Sequence, residues 1–274
     1  MQPATTWKFL YWLLVFSFIG IIWYTHQVTS GILQTQLPKS TSIAFLETPY
    51  LYFYLHIFTV VPVFLLSFDK KVAYYKSWKY LFPAIFIVGV LFIFWDVIFT
   101  AKGVWGFNDN YITGIKLFHL PIEEWLFFLT VPFACLFIDA CLIAYFPTDK
   151  FTPIEKMITW SLIIAFLLMT VFNWNKLYTM SASLLSAMLL IYHVIFVRKD
   201  YLSRFYSTFI VCLIPFLLLN GVLTGGFTNE PVVMYNPQEF FGLRCFSVPT
   251  DDFIYCFAYL LSVITLFKSF KSKI

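Results

Sequence analysis

Charge is what this sequence has least of. Asp, Glu, Lys and Arg make up 12% of its 274 residues, about half the ~25% of a soluble domain. That shortage, with 61% hydrophobic residues and a mean hydropathy of +0.81, excludes an ordinary soluble fold and points to an integral membrane protein. Catalytic signatures are missing too. There is no HExxH, no Gly-rich phosphate loop, no GxGxxG and no nucleophile elbow, so hydrolase, kinase and flavin or nicotinamide chemistry lack support. The five cysteines (135, 141, 212, 245 and 256) show no metal-ligand spacing. Four lie inside apolar runs and read as small packing residues, so no metal site is expected. The net charge of +4 comes from basic residues beside apolar runs, where lipid headgroups lie. It gives no reason to expect a nucleic-acid partner.

Long apolar runs are what the chain does have. A membrane-spanning helix needs about 20 mostly apolar residues. Eight segments qualify: 7–24, 50–67, 80–99, 122–146, 156–174, 177–197, 206–225 and 250–268. The runs are continuous rather than alternating, which argues against a β-barrel, and no strands are expected. The residues after 7–24 show no cleavage pattern, so that segment reads as a helix and not a signal peptide. With eight spans, one side carries 13 Lys and Arg residues and the other carries 5. The positive-inside rule then places both termini in the cytoplasm, in a cytoplasmic membrane.

Acids are scarce, so their positions are informative. GIKLFHLPIEEWLFF (114–128) and GLRCFSVPTDDFIYC (242–256) share one pattern at an offset of 128 residues. Gly114, Lys116, Phe118, Pro121, Glu123 and Glu124 recur as Gly242, Arg244, Phe246, Pro249, Asp251 and Asp252. The match extends outward. Spans 50–67, 80–99 and 122–146 correspond to 177–197, 206–225 and 250–268, and DVIFT (96–100) parallels NGVLT (220–224). Four crossings separate matching spans, so the halves point the same way and can be related by an axis along the membrane normal. The expected fold is therefore all-α: a tandem parallel repeat of a three-helix unit, plus two extra helices at 7–24 and 156–174. The division is 1–48 (first helix and loop), 49–148 (repeat 1), 149–175 (linker helix) and 176–274 (repeat 2).

Proline and acids in a first helical turn are ordinary helix grammar, and Thr250 could cap its helix. But a single acid would serve the helix dipole, and an acid in a bilayer costs roughly 2.5–3.5 kcal/mol. Adjacent helical residues point about 100° apart, so at least one acid of each pair turns toward protein. Metal binding would want His or Cys nearby, and the one neighbour, His119, matches Ser247 in the second motif. His119 reads as a loop residue. A carboxylic acid in an apolar pocket can keep its proton, and aromatic faces, abundant here at 22% of residues, stabilise cations. Acid, rings and lipid together suit carbocation chemistry on a hydrophobic alkene. Asp96 and its counterpart Asn220 lie near the same face and can hydrogen-bond the acids. Lys116 and Arg244 either hold an acid ionised or snorkel to the interface. A different class also fits intramembrane acids on parallel repeats, namely a small transporter or proton-coupled carrier. That class expects helices broken by Gly or Pro at mid-depth, and Pro62, Pro83, Pro132 and Pro215 fall within spans.

The duplicated Pro-x-acid-acid motif, the preceding Gly-x-basic-x-Phe and the three-helix unit resemble the non-flavin lycopene cyclases over residues 48–268, in the fused form that joins two small subunits in one chain. The resemblance implies β-ionone ring formation at the ends of lycopene, an isomerisation with no cofactor. It implies Glu123, Glu124, Asp251 and Asp252 as the acidic motif. Related members act on longer carotenoids or close one end only. The Asp-Asp pair of the second motif is one methylene shorter than the Glu-Glu pair of the first.

Overall fold

The computed structural model describes residues 33, 42–149, 151–197 and 201–271. The candidate span at 7–24 lies outside them. The other seven spans each form a helix: α1 (Leu51–Leu66), α2 (Trp78–Ala101), α3 (Ile122–Tyr145), α4 (Glu155–Phe172), α5 (Leu177–Tyr192), α6 (Leu202–Leu223) and α7 (Thr250–Lys271). A 3-10 turn (Tyr74–Ser77) leads into α2, and a π turn (His193–Val197) extends α5. Six of these helices, counted with their turns, are long and apolar enough to cross a membrane. α1, with 16 residues, rises about 24 Å and falls short of a ~30 Å hydrocarbon core. Pro62, Pro83, Pro132 and Pro215 all sit inside unbroken helices, so the interruptions a carrier would use at these positions are absent.

Packing follows sequence position in a crossed pattern. α1 packs on α3, and α5 packs on α7. The two middle helices also reach the other half, α2 packing on α7 as well as on α3, and α6 on α3 as well as on α7. α7 is the most central, with 67% of its apolar window buried, whereas the window containing α4 is 17% buried and lies at the periphery. α4 rests mainly on α5.

The expectation of a wholly helical chain needs one correction. Among the described residues, three two-stranded antiparallel ribbons join the helices, too short to register as apolar periodicity. β1 (Trp105–Phe107) pairs with β4 (Val233–Tyr235), centred on Gly106 opposite Met234. Those two residues lie 128 positions apart in the chain, so the ribbon joins matching points of the two motif regions. The other ribbons are hairpins. β2 (Lys116–Leu117) folds onto β3 (Leu120–Pro121), and β5 (Arg244–Cys245) onto β6 (Val248–Pro249), with Lys116 opposite Pro121 and Arg244 opposite Pro249. Each hairpin runs directly into a helix, β3 into α3 and β6 into α7.

The motif glycines have a backbone role. Gly114 and Gly242 adopt φ of 83° and 95°, in the left-handed region, where a Cβ costs about 1–2 kcal/mol. A Cβ at either would meet nothing within 4 Å, so the penalty is conformational and not steric. Gly242→Ala should therefore lower stability in detergent by about 1–2 kcal/mol. Gly89→Ala, in mid-α2 where a Cβ meets only ordinary contacts at 3.6–3.7 Å, should hold or raise it. Thermal unfolding of the two variants checks the contrast.

Candidate active site

The two acids of each motif face different ways. Glu123 is fully buried, and its Oε1 accepts the backbone N–H of Thr113 at 2.7 Å. Asp251, also fully buried, accepts the N–H of Phe241 at 3.2 Å and the hydroxyl of Thr179 at 2.5 Å. Thr113 and Phe241 both precede their acid by ten residues. The first acid of each pair thus ties the preceding loop to the helix start. The hairpins are tied equivalently, since the N–H of Ile122 bonds to the carbonyl of Ile115 and that of Thr250 to Leu243. The Thr250 hydroxyl goes to the Leu243 carbonyl and to Asp251 rather than to a capping position.

The second acids share a single cavity. Glu124 and Asp252 line one pocket together with Asp96 and Asn220, which brings four of the sequence-nominated residues to one place from α2, α3, α6 and α7. Each second acid receives a tyrosine hydroxyl from the first helix of its own half. Tyr52 at the start of α1 donates to Glu124 at 2.7 Å, and Tyr178 at the start of α5 donates to Asp252 at 2.7 Å. Asp252 holds a second hydroxyl, from Tyr235 on β4 at 2.8 Å. Burial pushes the Tyr235 hydroxyl well above the ordinary phenol range, and the charge of Asp252 adds to this. Tyr235 therefore stays a proton donor to Asp252 at physiological pH. Asp96 accepts the indole N–H of Trp105, the first residue of β1, and its Oδ2 is buried with no hydrogen-bond partner among the described residues, as is the hydroxyl of Tyr255 on the pocket wall. The rest of the lining is mostly aromatic, with Val131, Leu223, Val233 and Cys256 between the rings. Trp105 meets Tyr178 at 4.9 Å between ring centroids, and Tyr255 meets Trp95 at 4.9 Å.

The basic residues diverge. Lys116 pairs with exposed Asp109 at 2.6 Å, on the outer face of its hairpin. Arg244 turns inward. Its guanidinium donates to the Ser247 carbonyl at 2.5 Å and lies over the rings of Phe240 and Tyr235 at 5.0 and 5.5 Å. Burial lowers its pKa, an effect opposed by Tyr235, Asp252 and Asp251. His119 is exposed on the first hairpin, with φ of 69°.

Sequence reasoning missed the tyrosines. The LY pair that opens each first helix (51–52 and 177–178) is a repeat signal that could have found Tyr52 and Tyr178. Tyr235 and Trp105 have no such signal, because Val233 stands opposite Trp105 across the motif offset.

The sequence pattern that defines the lycopene cyclases matches the chain twice, at residues 49–142 and 175–270. The chain belongs to the lycopene cyclase family. No curated protein and no solved structure matches it. Both matched regions of this cyclase end in a motif helix, α3 or α7, so the twofold match coincides with the two sets of residues around the pocket. Membership makes the chain a carotenoid cyclase, and the six helices among the described residues that are long and apolar enough to cross a membrane suit an integral membrane enzyme.

Since Asp251 accepts the N–H of Phe241 and the buried hydroxyl of Thr179, Asp251→Ala should strand both. The expected loss is about 1–3 kcal/mol per stranded group, read by unfolding in detergent. Asp251→Asn, which keeps an acceptor oxygen, should lose less.

Proposed function

We propose that this chain is a lycopene β-cyclase that closes the acyclic ends of lycopene into β-ionone rings without a cofactor, giving γ-carotene and then β-carotene. The observation that carries the reading is the convergence of Glu124 and Asp252 on one aromatic pocket. The two acids come from separate motifs, yet neither half encloses the pocket alone.

The chemistry needs a proton delivered, a cation sheltered and a proton removed. A carboxylic acid in the pocket protonates the terminal alkene, leaving a tertiary cation. The neighbouring double bond attacks it and closes the ring. A carboxylate then takes a proton from the ring carbon beside the new cation, forming the ring double bond. One proton enters and one leaves, so the step is an isomerisation. Glu124 and Asp252, with Asp96 beside them, supply the carboxyl groups. Tyr52 and Tyr178 orient them by donating to one oxygen, which leaves other lone pairs for the proton transfer. The faces of Trp105, Tyr178 and Tyr255 favour positive charge at the reacting carbons, by up to ~2 kcal/mol each when desolvated. Glu123 and Asp251 hold the loops that place their neighbours.

The organisation expected from sequence serves this reading. A parallel repeat (49–148 and 176–274) with helices at 1–48 and 149–175 added would put matching acids at one depth, and the β1–β4 ribbon centred on Gly106 and Met234 is the pairing a twofold axis makes. The excess of basic residues, 13 against 5, on the side opposite the motifs supports cytoplasmic termini and a pocket near the outer face. The transporter alternative loses its main structural expectation, since the proline-bearing helices continue unbroken.

Reaction in heavy water tests the mechanism. Between turnovers the acid re-equilibrates with solvent, so each ring formed should gain one deuterium at the protonated carbon, read by mass spectrometry of the product. A ring with no deuterium after many turnovers would rule out an exchangeable carboxyl donor.

A further inference from the structure

A second cavity opens beside the acid pocket. It lies between α1, α3 and α6, partly open at its mouth, and shares two wall residues, Val131 and Phe216, with the acid pocket. Its walls run from Leu55 to Val63 on α1, from Val131 to Ile138 on α3 and from Cys212 to Val222 on α6. Those stretches correspond to roughly 10–15 Å of helix, leading from the acids toward mid-membrane. Among the described residues no charged side chain lines it. At its outer rim Phe58 on α1 and Leu218 on α6 are 73% and 63% exposed, apolar side chains on the outer surface.

The equivalent space in the other half is closed. At the positions matching Val131, Phe216 and Leu219 stand Tyr259, Phe92 and Trp95, all buried. The Tyr259 ring lies 4.7 Å from Phe92 and 5.4 Å from Phe128, and its hydroxyl bonds to the Phe128 carbonyl at 2.5 Å. Tyr255 packs on Phe92 at 5.2 Å and on Trp95. The same topology thus leaves a lipid-facing apolar arm on one side and a sealed aromatic core on the other.

We infer that the α1–α3–α6 cavity is the binding arm for the unreacted polyene of the substrate, and that the chain therefore closes one ring per binding event. This rests on the acid pocket being the site of cyclisation. An end group seated among Glu124, Asp252 and Asp96 passes its polyene between Val131 and Phe216 into the arm, and the far end emerges toward lipid past Phe58 and Leu218. With the opposite arm filled by Tyr259, the far end has no second route to the acids. A two-ring product requires the one-ring carotenoid to leave and return reversed.

The test compares lycopene with a truncated acyclic polyene that keeps the reacting end group. Wild type should convert the truncated probe with kcat/KM at least tenfold lower than lycopene, because the arm's binding is lost. Ala134→Phe and Leu55→Trp fill the arm from two different helices and leave the acids untouched. Each should lower kcat/KM for lycopene at least tenfold while leaving the truncated probe within twofold of wild type. With lycopene in excess, free one-ring product should also precede any two-ring product. Fillers that affect both substrates equally, or neither, overturn the proposal, as does a truncated probe as good as lycopene. Fillers that displace a co-purified lipid without slowing lycopene would make the arm a lipid site and overturn it too. Two-ring product in fixed proportion from the first turnover contradicts the single arm. A wild type that makes no ring at all instead refutes the reading of the acid pocket.

Discussion

The bond from a loop N–H to the first acid of each motif sets the direction of everything near the pocket. Glu123 is held by Thr113 and Asp251 by Phe241, ten residues upstream in both cases. Once that side chain is committed to the loop, the next residue on the helix points about 100° away, and in both halves that direction is the pocket. The bond also brings the hairpin against the helix start, so the positive-φ glycine, the ribbon and the helix form one unit. Two adjacent carboxyls in a charge-poor chain thereby divide two tasks, one closing the backbone and the other facing the cavity. A lone acid could not do both.

The second consequence concerns the relation between halves. Tyr52 to Glu124 and Tyr178 to Asp252 are the same bond made twice, and the crossed packing of α2 on α7 and α6 on α3 interlocks the halves around a shared cavity. Departures from this symmetry are as informative as the symmetry. Asp96 is matched by Asn220, Trp105 by Val233 and Val131 by Tyr259. Each exchange removes or adds an ionisable or bulky group on one side, so a symmetric frame encloses an asymmetric pocket. In the proposed reaction a carotenoid end, itself asymmetric about its reacting bond, would need a donor on one face and an acceptor on another, which two identical halves would not distinguish.

Much of this was legible in the sequence, and the parts that were not share a cause. Apolar length identified seven of the described helices, because burial in lipid is a composition effect that needs no tertiary information. The acidic motifs and Asp96 with Asn220 were visible as a duplication in a chain otherwise poor in charge. The separate roles of Glu123 and Glu124 were not, because they depend on which backbone N–H each carboxyl reaches. The ribbons were invisible because two or three residues carry no periodicity. Tyr52, Tyr178 and Tyr235 were hidden by abundance: among 17 tyrosines, only the fold shows which hydroxyls meet an acid. Lys116 and Arg244 look equivalent in sequence, yet one pairs with Asp109 outside and the other stacks inward.

The central claim is that the second acids of both motifs act together at one pocket while the first acids serve the backbone. Its most direct measurement is the ring-forming rate of four isosteric variants and one double variant in purified enzyme. Glu124→Gln and Asp252→Asn should each lower the rate by about 10²–10⁴-fold, the range for loss of a positioned acid or base. The double variant should be little worse than the slower single, since one proton-transfer cycle is broken either way. Glu123→Gln and Asp251→Asn should retain most of the rate, because an amide oxygen still accepts the loop N–H. The opposite order, with the first acids indispensable and the second dispensable, would contradict the account, as would independent, multiplying losses from Glu124 and Asp252.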